Sequence, residues 1–413
     1  MIPARPLIQR THNLGLLTAA LIGAGVPLMM FGRAVMQADL AIALLLALGL
    51  AYLRPGTYGR ALSAGRTVFG LALLVTAISW LPGVFDSVDP ARSLKAWART
   101  FAFIAAVGVM WALLSENEKE RTLCLKAFIV IACATLGAAV ISLLVWPELM
   151  NILRARGEVR PRPDLVLKSF GATAMCLVPI LIWSGRHLGR PWLWANAIGV
   201  VFAVIVIFET GNRASIAGLM SMILVGALVL GIREKRTRLP MLVGAPVLVA
   251  GMFLWLQIYG PSWLQNQNTY LPTWLVDPHR QMIWRFTFEH AIQAPWFGHG
   301  IDTINLLPGA NIKIHGMGQS YIPSHPHNWG MEIFAETGAV GLVAFIIALL
   351  VLAVRLVRAV LANRSPAVNL TLLALSAGFW TSASFNFSIW STWWLLTYFV
   401  LFAIVAAWRE PVA

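Results

Sequence analysis

The chain has 413 residues, 59% of them hydrophobic and 12% charged, with a mean hydropathy of +0.74. Soluble domains carry about 25% charged residues, so the composition excludes a large soluble enzyme and a disordered chain and leaves a multi-span membrane protein. The net charge of +14 lies between apolar runs instead of on one basic face, which points to a bilayer and away from nucleic acid.

A crossing helix needs roughly 20 apolar residues, and the sequence predicts an all-α polytopic protein with about twelve of them. The first run, 14–31, follows Arg5 and Arg10; it is long and has no convincing small-residue cleavage site, so it reads as a retained span and not a signal peptide. Runs at 35–53, 67–85, 97–114 and 124–146 follow. Cys124, Cys133 and Cys176 all lie in apolar stretches, so neither a disulfide nor a zinc framework is expected. Residues 147–167 form a connector unusually rich in cations: Arg154, Arg156, Arg160 and Arg162, with Lys168 opening the next run. Runs at 168–184, 191–208, 213–231 and 239–258 come next, with Arg213 of Gly211-Asn212-Arg213-Ala214-Ser215 at the start of the third.

Residues 259–328 are then the one long loop, rich in Trp, Pro and Gly, and structureless loops of that length are uncommon unless functional. Within it, Asp277-Pro278 predicts a helix start, Asp as N-cap and Pro at the first helical position. Trp284, Phe288 and Ala291 follow at helical spacing, and Arg280 and Arg285 sit on the same short amphipathic helix, expected at the membrane surface. The last runs are 329–354, 366–386 and 388–408. Three regions result: 1–258 with nine spans, 259–328 as a loop subdomain, and 329–413 with three spans.

An even span count puts both termini on one side. If that side is the cytoplasm, its segments hold 18 basic and five acidic residues, leaving 13 basic and 12 acidic for the other side, a bias of +13 against +1. Lys and Arg excess marks cytoplasmic loops. The 259–328 loop and the 147–167 connector then face outward, and function is expected there.

The sharpest constellation is Ser324-His325-Pro326-His327-Asn328, just before the span starting near Trp329. His327 falls at a helix N-terminus, where the positive end of the dipole disfavours imidazolium and leaves a neutral ring able to accept a proton. Two loop histidines bonded to backbone are the plainer reading, and a His-x-His metal site with Glu332 a third. Glu332 and Glu336 share a helix face. Glu336 lies roughly 12 Å into its span at about 1.5 Å per residue, where a carboxylate needs a partner; an arginine or histidine is expected, and a role as anchor of the outer loop is the alternative. Arg213, Arg280 and Arg285, with Arg154, Arg156, Arg160, Arg162 and Lys168, suggest a multiply charged anion, because the guanidinium fork binds phosphate oxygens bidentately. A pyrophosphate-linked lipid meets that description; ordinary anionic phospholipid and snorkelling interface arginines compete with it. Trp284, Trp296 and Trp329 could stack on sugars.

The segment from Arg280 to Ile304, with Arg280, Trp284, Pro295, Gly298 and Gly300, resembles the part of O-antigen ligase and polymerase proteins that precedes their histidine motif. His327-Asn328 followed by Gly338 and Gly341 is similar to that family's His-Asn…Gly-x-x-Gly pattern. Asn212-Arg213 looks like its Ser-Arg pair, with Asn in place of Ser. The resemblance covers roughly residues 200–345. It implies a glycosyltransferase of the bacterial inner membrane, both termini cytoplasmic and the active site periplasmic, that uses undecaprenyl-pyrophosphate-linked glycans without metal or other cofactor. Among the members the O-antigen ligase fits best, with lipid A–core as acceptor. It would use His327 as base, Arg213 and Arg280 on the pyrophosphate, and the 154–168 cations, Arg285, His325 and Glu336 as further substrate contacts. An O-antigen polymerase, a protein O-oligosaccharyltransferase and, in a different class, a glycolipid transporter are the alternatives; membrane lipids are the other expected partners.

Overall fold

The computed structural model describes residues 4–155, 157–240, 243–244 and 276–408. Arg156, most of the expected 239–258 span and the 259–275 part of the long loop lie outside the described residues. The helices are α1 Ala4–Gly25, α2 Arg33–Leu53, α3 Thr57–Gly65, α4 Val68–Ser79, α5 Leu81–Phe85, α6 Pro90–Glu116, α7 Glu118–Leu144, α8 Leu149–Leu153 and α9 Pro163–Val166. They continue as α10 Lys168–Leu188, α11 Arg190–Glu209, α12 Arg213–Arg233, α13 Pro278–Ala291, α14 Trp329–Leu361, α15 Pro366–Ala383 and α16 Thr392–Ala406. There is no strand among the described residues, only an isolated bridge between Lys313 and Ser320.

The protein is an all-α, multi-pass membrane protein. Among the described residues eight helical segments are long and apolar enough to cross a bilayer, α4 and α5 counting together as Val68–Phe85, and α16 is a shorter apolar helix. Every expected span other than 239–258 falls on helix. The strict count is lower than twelve because α16 has 15 residues and α1 and α15 fall short of the same measure.

Helix starts follow from the polar residues that interrupt the apolar runs. Thr67, Asp89, Asn117, Asn212, Asp277 and Asn328 each accept a bond from a backbone N–H of the first turn, satisfying donors that the helix leaves unpaired. The bundle closes around α10, where every residue from Phe170 to Leu181 is buried, as expected of a helix apolar all round. α11, α12, α15 and α16 pack on it. Outer helices instead expose leucines such as Leu45, Leu74 and Leu224, a surface suited to lipid.

Ordering matters most at the end of the bundle where α12, α14 and α16 begin. α13 starts where Asp277-Pro278 predicts. Its apolar face packs against the protein itself, in a small core of Ile283, Phe286, Ala291, Ile304, Leu307, Ile322 and Ala335.

Candidate active site

Two buried carboxylates on α14 organise this end. The Glu332 carboxylate accepts from the Ser388 hydroxyl at 2.6 Å and the Ile389 N–H at 2.8 Å, fixing the turn between α15 and α16. The Glu336 carboxylate accepts from the backbone N–H groups of Asp302 (2.7 Å), Thr303 (2.9 Å) and Ile304 (3.0 Å), and from the Trp390 indole. Four donors fill the four lone-pair positions of a carboxylate. The expected arginine or histidine partner is therefore corrected: neutral N–H dipoles compensate Glu336, which holds the 302–304 loop and keeps no lone pair for a ligand.

The glycines of the motif have a geometric origin. Gly338 (φ 67°, ψ −175°) breaks helical geometry inside α14, a conformation open to glycine at little cost, and a Cβ there would lie 2.2 Å from the Trp296 carbonyl. The backbone groups freed by the break pair with the facing segment: Ala339 N–H donates to Pro295 O at 2.8 Å, and His299 N–H to Ala335 O at 2.9 Å. Gly298 (φ 72°) approaches Glu336 as closely from the other side. Pro295, Gly298, Gly300, Gly338 and Glu336 thus dock the 295–304 segment onto α14.

On this frame sit the histidines. Trp284 of α13 donates its indole N–H to Pro326 O at 3.0 Å, bracing the loop from above. The Asn386 carbonyl accepts from His325 Nε2 at 3.1 Å and from His327 Nδ1 at 2.6 Å. A carbonyl only accepts, so both of those ring nitrogens carry protons. In the neutral rings, His325 Nδ1 then accepts from the Ser324 hydroxyl at 2.8 Å, while His327 Nε2 is left as an unprotonated acceptor. His327 holds φ 58°, uncommon for a non-glycine residue and characteristic of functional sites when the surroundings enforce it. Burial first and then His325 push the His327 pKa down to about 3; the Asn386 bond opposes them, and Arg280 and His279 add smaller lowering effects. His325 is lowered by burial as well, and Arg33 and Arg280 add to it.

Arg280, half-buried on α13, is the cation that acts on both histidines, and Arg213 at the start of α12 acts on Arg280. Asn212 places Arg213: its side-chain oxygen caps α12 through Ser215 N–H at 3.3 Å and its amide donates to Lys168 O at 3.0 Å. The substitution of Asn for Ser in the motif thus adds a bond to α10. Arg33, which sequence reasoning missed, stacks on Trp393 at 4.9 Å. It stands directly at the start of an apolar run, where only a tertiary contact distinguishes it from an interface anchor. The Asn386 carbonyl was also missed; as a backbone group it leaves no trace in residue identity.

The other expected contacts are placed differently. Arg154 donates to the carbonyls of Met30 (2.9 Å) and Val166 (3.2 Å), bracing the connector. Arg162 pairs with Asp164 at 2.8 Å and Arg285 with Glu289 at 2.8 Å. Arg160 and Lys168 are exposed. Among the described residues, no three or more His, Cys, Asp or Glu side chains are grouped to hold a metal ion.

The fold is that of a polytopic membrane protein, and one end of its bundle brings two histidines under the influence of nearby arginines. Residues 198–346, about a third of the chain, match the family described as O-antigen ligase. The matched segment holds Arg213, Arg280, His325, His327 and the glycines of the docking segment. The chain is also similar to a candidate polysaccharide ligase of Rickettsia conorii, 27% identical over 133 residues, and to one of Rickettsia prowazekii, 27% identical over 131 residues. The match spans 30% of the first relative's length and 31% of the second's, and equal shares of this chain.

Proposed function

We propose that the protein is an O-antigen ligase that transfers a glycan from undecaprenyl pyrophosphate to lipid A–core on the periplasmic face of the bacterial inner membrane. The observation that carries this reading is the tautomer of His327: Nδ1–H is engaged by the Asn386 carbonyl, which leaves Nε2 as the acceptor on a ring that also feels the charge of Arg280. His327 Nε2 takes the proton of the acceptor hydroxyl as its oxygen attacks the anomeric carbon. The bond from that carbon to the pyrophosphate oxygen breaks, and Arg280 and Arg213 stabilise the charge on the departing pyrophosphate. A single displacement inverts the anomeric configuration. Because guanidinium groups supply this compensation, no metal is required, and EDTA leaves the rate unchanged. The charge bias of the loops supports cytoplasmic termini. The ligase-type relatives favour ligation over polymerisation.

Reconstitution with lipid-linked glycan and lipid A–core tests the reading. Glycan on lipid A–core is the expected product; elongated lipid-linked glycan would instead make the protein a polymerase, and the absence of any covalent product would favour transport. A general base contributes about 10²–10⁴-fold, so His327→Ala loses transfer by that factor with donor binding retained.

A further inference from the structure

An apolar groove of about 370 Å3 runs between α2, α6 and α16, lined by Leu44, Phe103, Val107, Met110 and Leu396, with Gln37 polar toward one end. Its size lies in the usual range for small-molecule pockets, about 300–1,000 Å3. Gln37 is one helical turn from Arg33, and Phe103 one turn from Arg99. The Arg33 guanidinium lies over the Trp393 ring at 4.9 Å and donates to Ser169 Oγ at 3.3 Å. Arg99 donates to Trp390 O at 3.0 Å. Neither arginine pairs with a carboxylate among the described residues. An apolar channel with cations only at its mouth is complementary to a lipid that has a long chain and an anionic head.

The mouth of the groove also identifies which lipid. The Arg33 guanidinium also lies over the Phe387 ring at 5.9 Å, next to Asn386, whose carbonyl bonds both histidines, and the 386–390 turn leads directly into α16, the third wall of the groove. A head group at Arg33 is therefore beside the histidines, which suits a substrate better than a bystander phospholipid. Arg33 and the α2 and α6 walls lie outside the family-matched segment 198–346, so the match assigns them nothing.

The geometry points to this groove as the seat of the polyprenyl chain of a lipid pyrophosphate, with Arg33 as a further guanidinium on its head group beside Arg280 and Arg213. The inference rests on the lipid-linked donor of the proposed function, but its test does not depend on turnover. Full-length protein in phosphatidylcholine nanodiscs is irradiated with a polyprenyl pyrophosphate carrying a diazirine on its chain, and the adducts are mapped by mass spectrometry. Adducts are expected on residues 40–45 and 103–110. Leu44→Trp and Val107→Trp each reduce them about fivefold or more without changing the monodisperse elution of the protein, and Arg33→Ala weakens probe binding more than Arg33→Lys. Adducts confined to other helices, or displacement of the probe from the groove by a modest excess of phosphatidylglycerol, would overturn the assignment, the latter by making the groove a phospholipid site. Groove adducts in a wild-type protein that forms no glycosidic product would leave the chain site standing and remove the transfer reading. Normal transfer by the two tryptophan variants together with unchanged adducts would do the reverse.

Discussion

Two groups of arginines face the same end of the bundle, and they differ in what already holds them. In the 147–168 connector, Arg154 is bonded to the carbonyls of Met30 and Val166, and Arg162 is paired with Asp164. Around the histidines, Arg280 and Arg33 make no salt bridge to a carboxylate among the described residues, and Arg280 is half-buried under the opposing charges of Asp277 and Arg213. In the first group Arg154 and Arg162 are engaged within the protein, while Arg160 and Lys168 are exposed. The second is a set of guanidinium charges whose field reaches the two imidazoles. Counting cations in sequence makes the connector the richer group, whereas the partners make the histidine cleft the place for an anion.

The largest effect that sharpens this contrast is at Arg280. If its guanidinium grips pyrophosphate through two bonds, lysine keeps the charge and loses the fork. A hydrogen bond to a charged group is worth about 1.5–3 kcal/mol, so Arg280→Lys lowers kcat/KM by about tenfold to a hundredfold in the reconstituted assay. Near-normal transfer by the lysine variant would reduce Arg280 to an interface cation and remove the distinction between the groups.

A smaller effect is expected at Glu332, a positioning residue that touches no substrate. It fixes the turn whose Asn386 carbonyl sets the His327 tautomer. Glu332→Gln leaves one N–H or O–H donor at Ser388 and Ile389 facing an amide that only partly accepts, at a cost of about 1–3 kcal/mol. A lower Tm and a reduced kcat are expected, with KM for the lipid donor unchanged. An altered KM with a normal kcat would mean that the turn serves binding instead of the base.

The pH dependence is milder still. With its pKa near 3, His327 is neutral throughout the physiological range, so kcat/KM is flat from about pH 5 upward and falls only as the pH approaches that value. Bound pyrophosphate, being anionic, favours the imidazolium and moves the acid limb of kcat to higher pH than that of kcat/KM. The stability follows with a definite sign. An unfolded histidine titrates near 6.5, so below that pH the unfolded chain binds more protons than the native one. The contribution of His327 is complete above about 6.5 and is lost as the pH falls from there toward 3. Tm measured against pH in detergent is expected to decline on that limb more steeply for wild type than for His327→Gln; parallel curves would place the acid sensitivity elsewhere.

Much of the fold was legible because a membrane segment declares itself locally, by length and apolarity. The helix start at Asp277-Pro278 was equally local, a cap and an N1 proline. The cleft was legible in part: His327, Arg213 and Arg280 stand in motifs, and the glycines mark a close backbone approach that the structure places at Gly338 and Gly298. What sequence could not give was partnership at a distance. Glu336 was expected to meet a cation and instead receives backbone N–H groups from 302–304 and the Trp390 indole, because an N–H group belongs to every residue but proline and has no letter of its own. Arg33 went unseen for the same kind of reason, since its stacking on Trp393 joins residues 360 positions apart.

The smallest expected effect tests the connector itself. Arg160 is exposed and belongs to the cationic stretch that sequence favours as a phosphate site. An exposed ion pair or surface charge contributes about 0–1 kcal/mol, so Arg160→Ala should change kcat/KM by less than about fivefold and leave the Tm unaltered. Arg162→Ala frees Asp164 and should behave alike, because the pair it breaks lies at the surface. Salt separates a steering role from a binding one: charges more than about 8 Å from the lipid head are largely screened at 0.15 M ionic strength, so any loss in Arg160→Ala should vanish between 10 mM and 150 mM salt. A loss above tenfold that persists at 150 mM would put Arg160 in direct contact with the donor. The connector would then be part of the anion site, and the contrast between the two groups of arginines would no longer predict where the pyrophosphate sits.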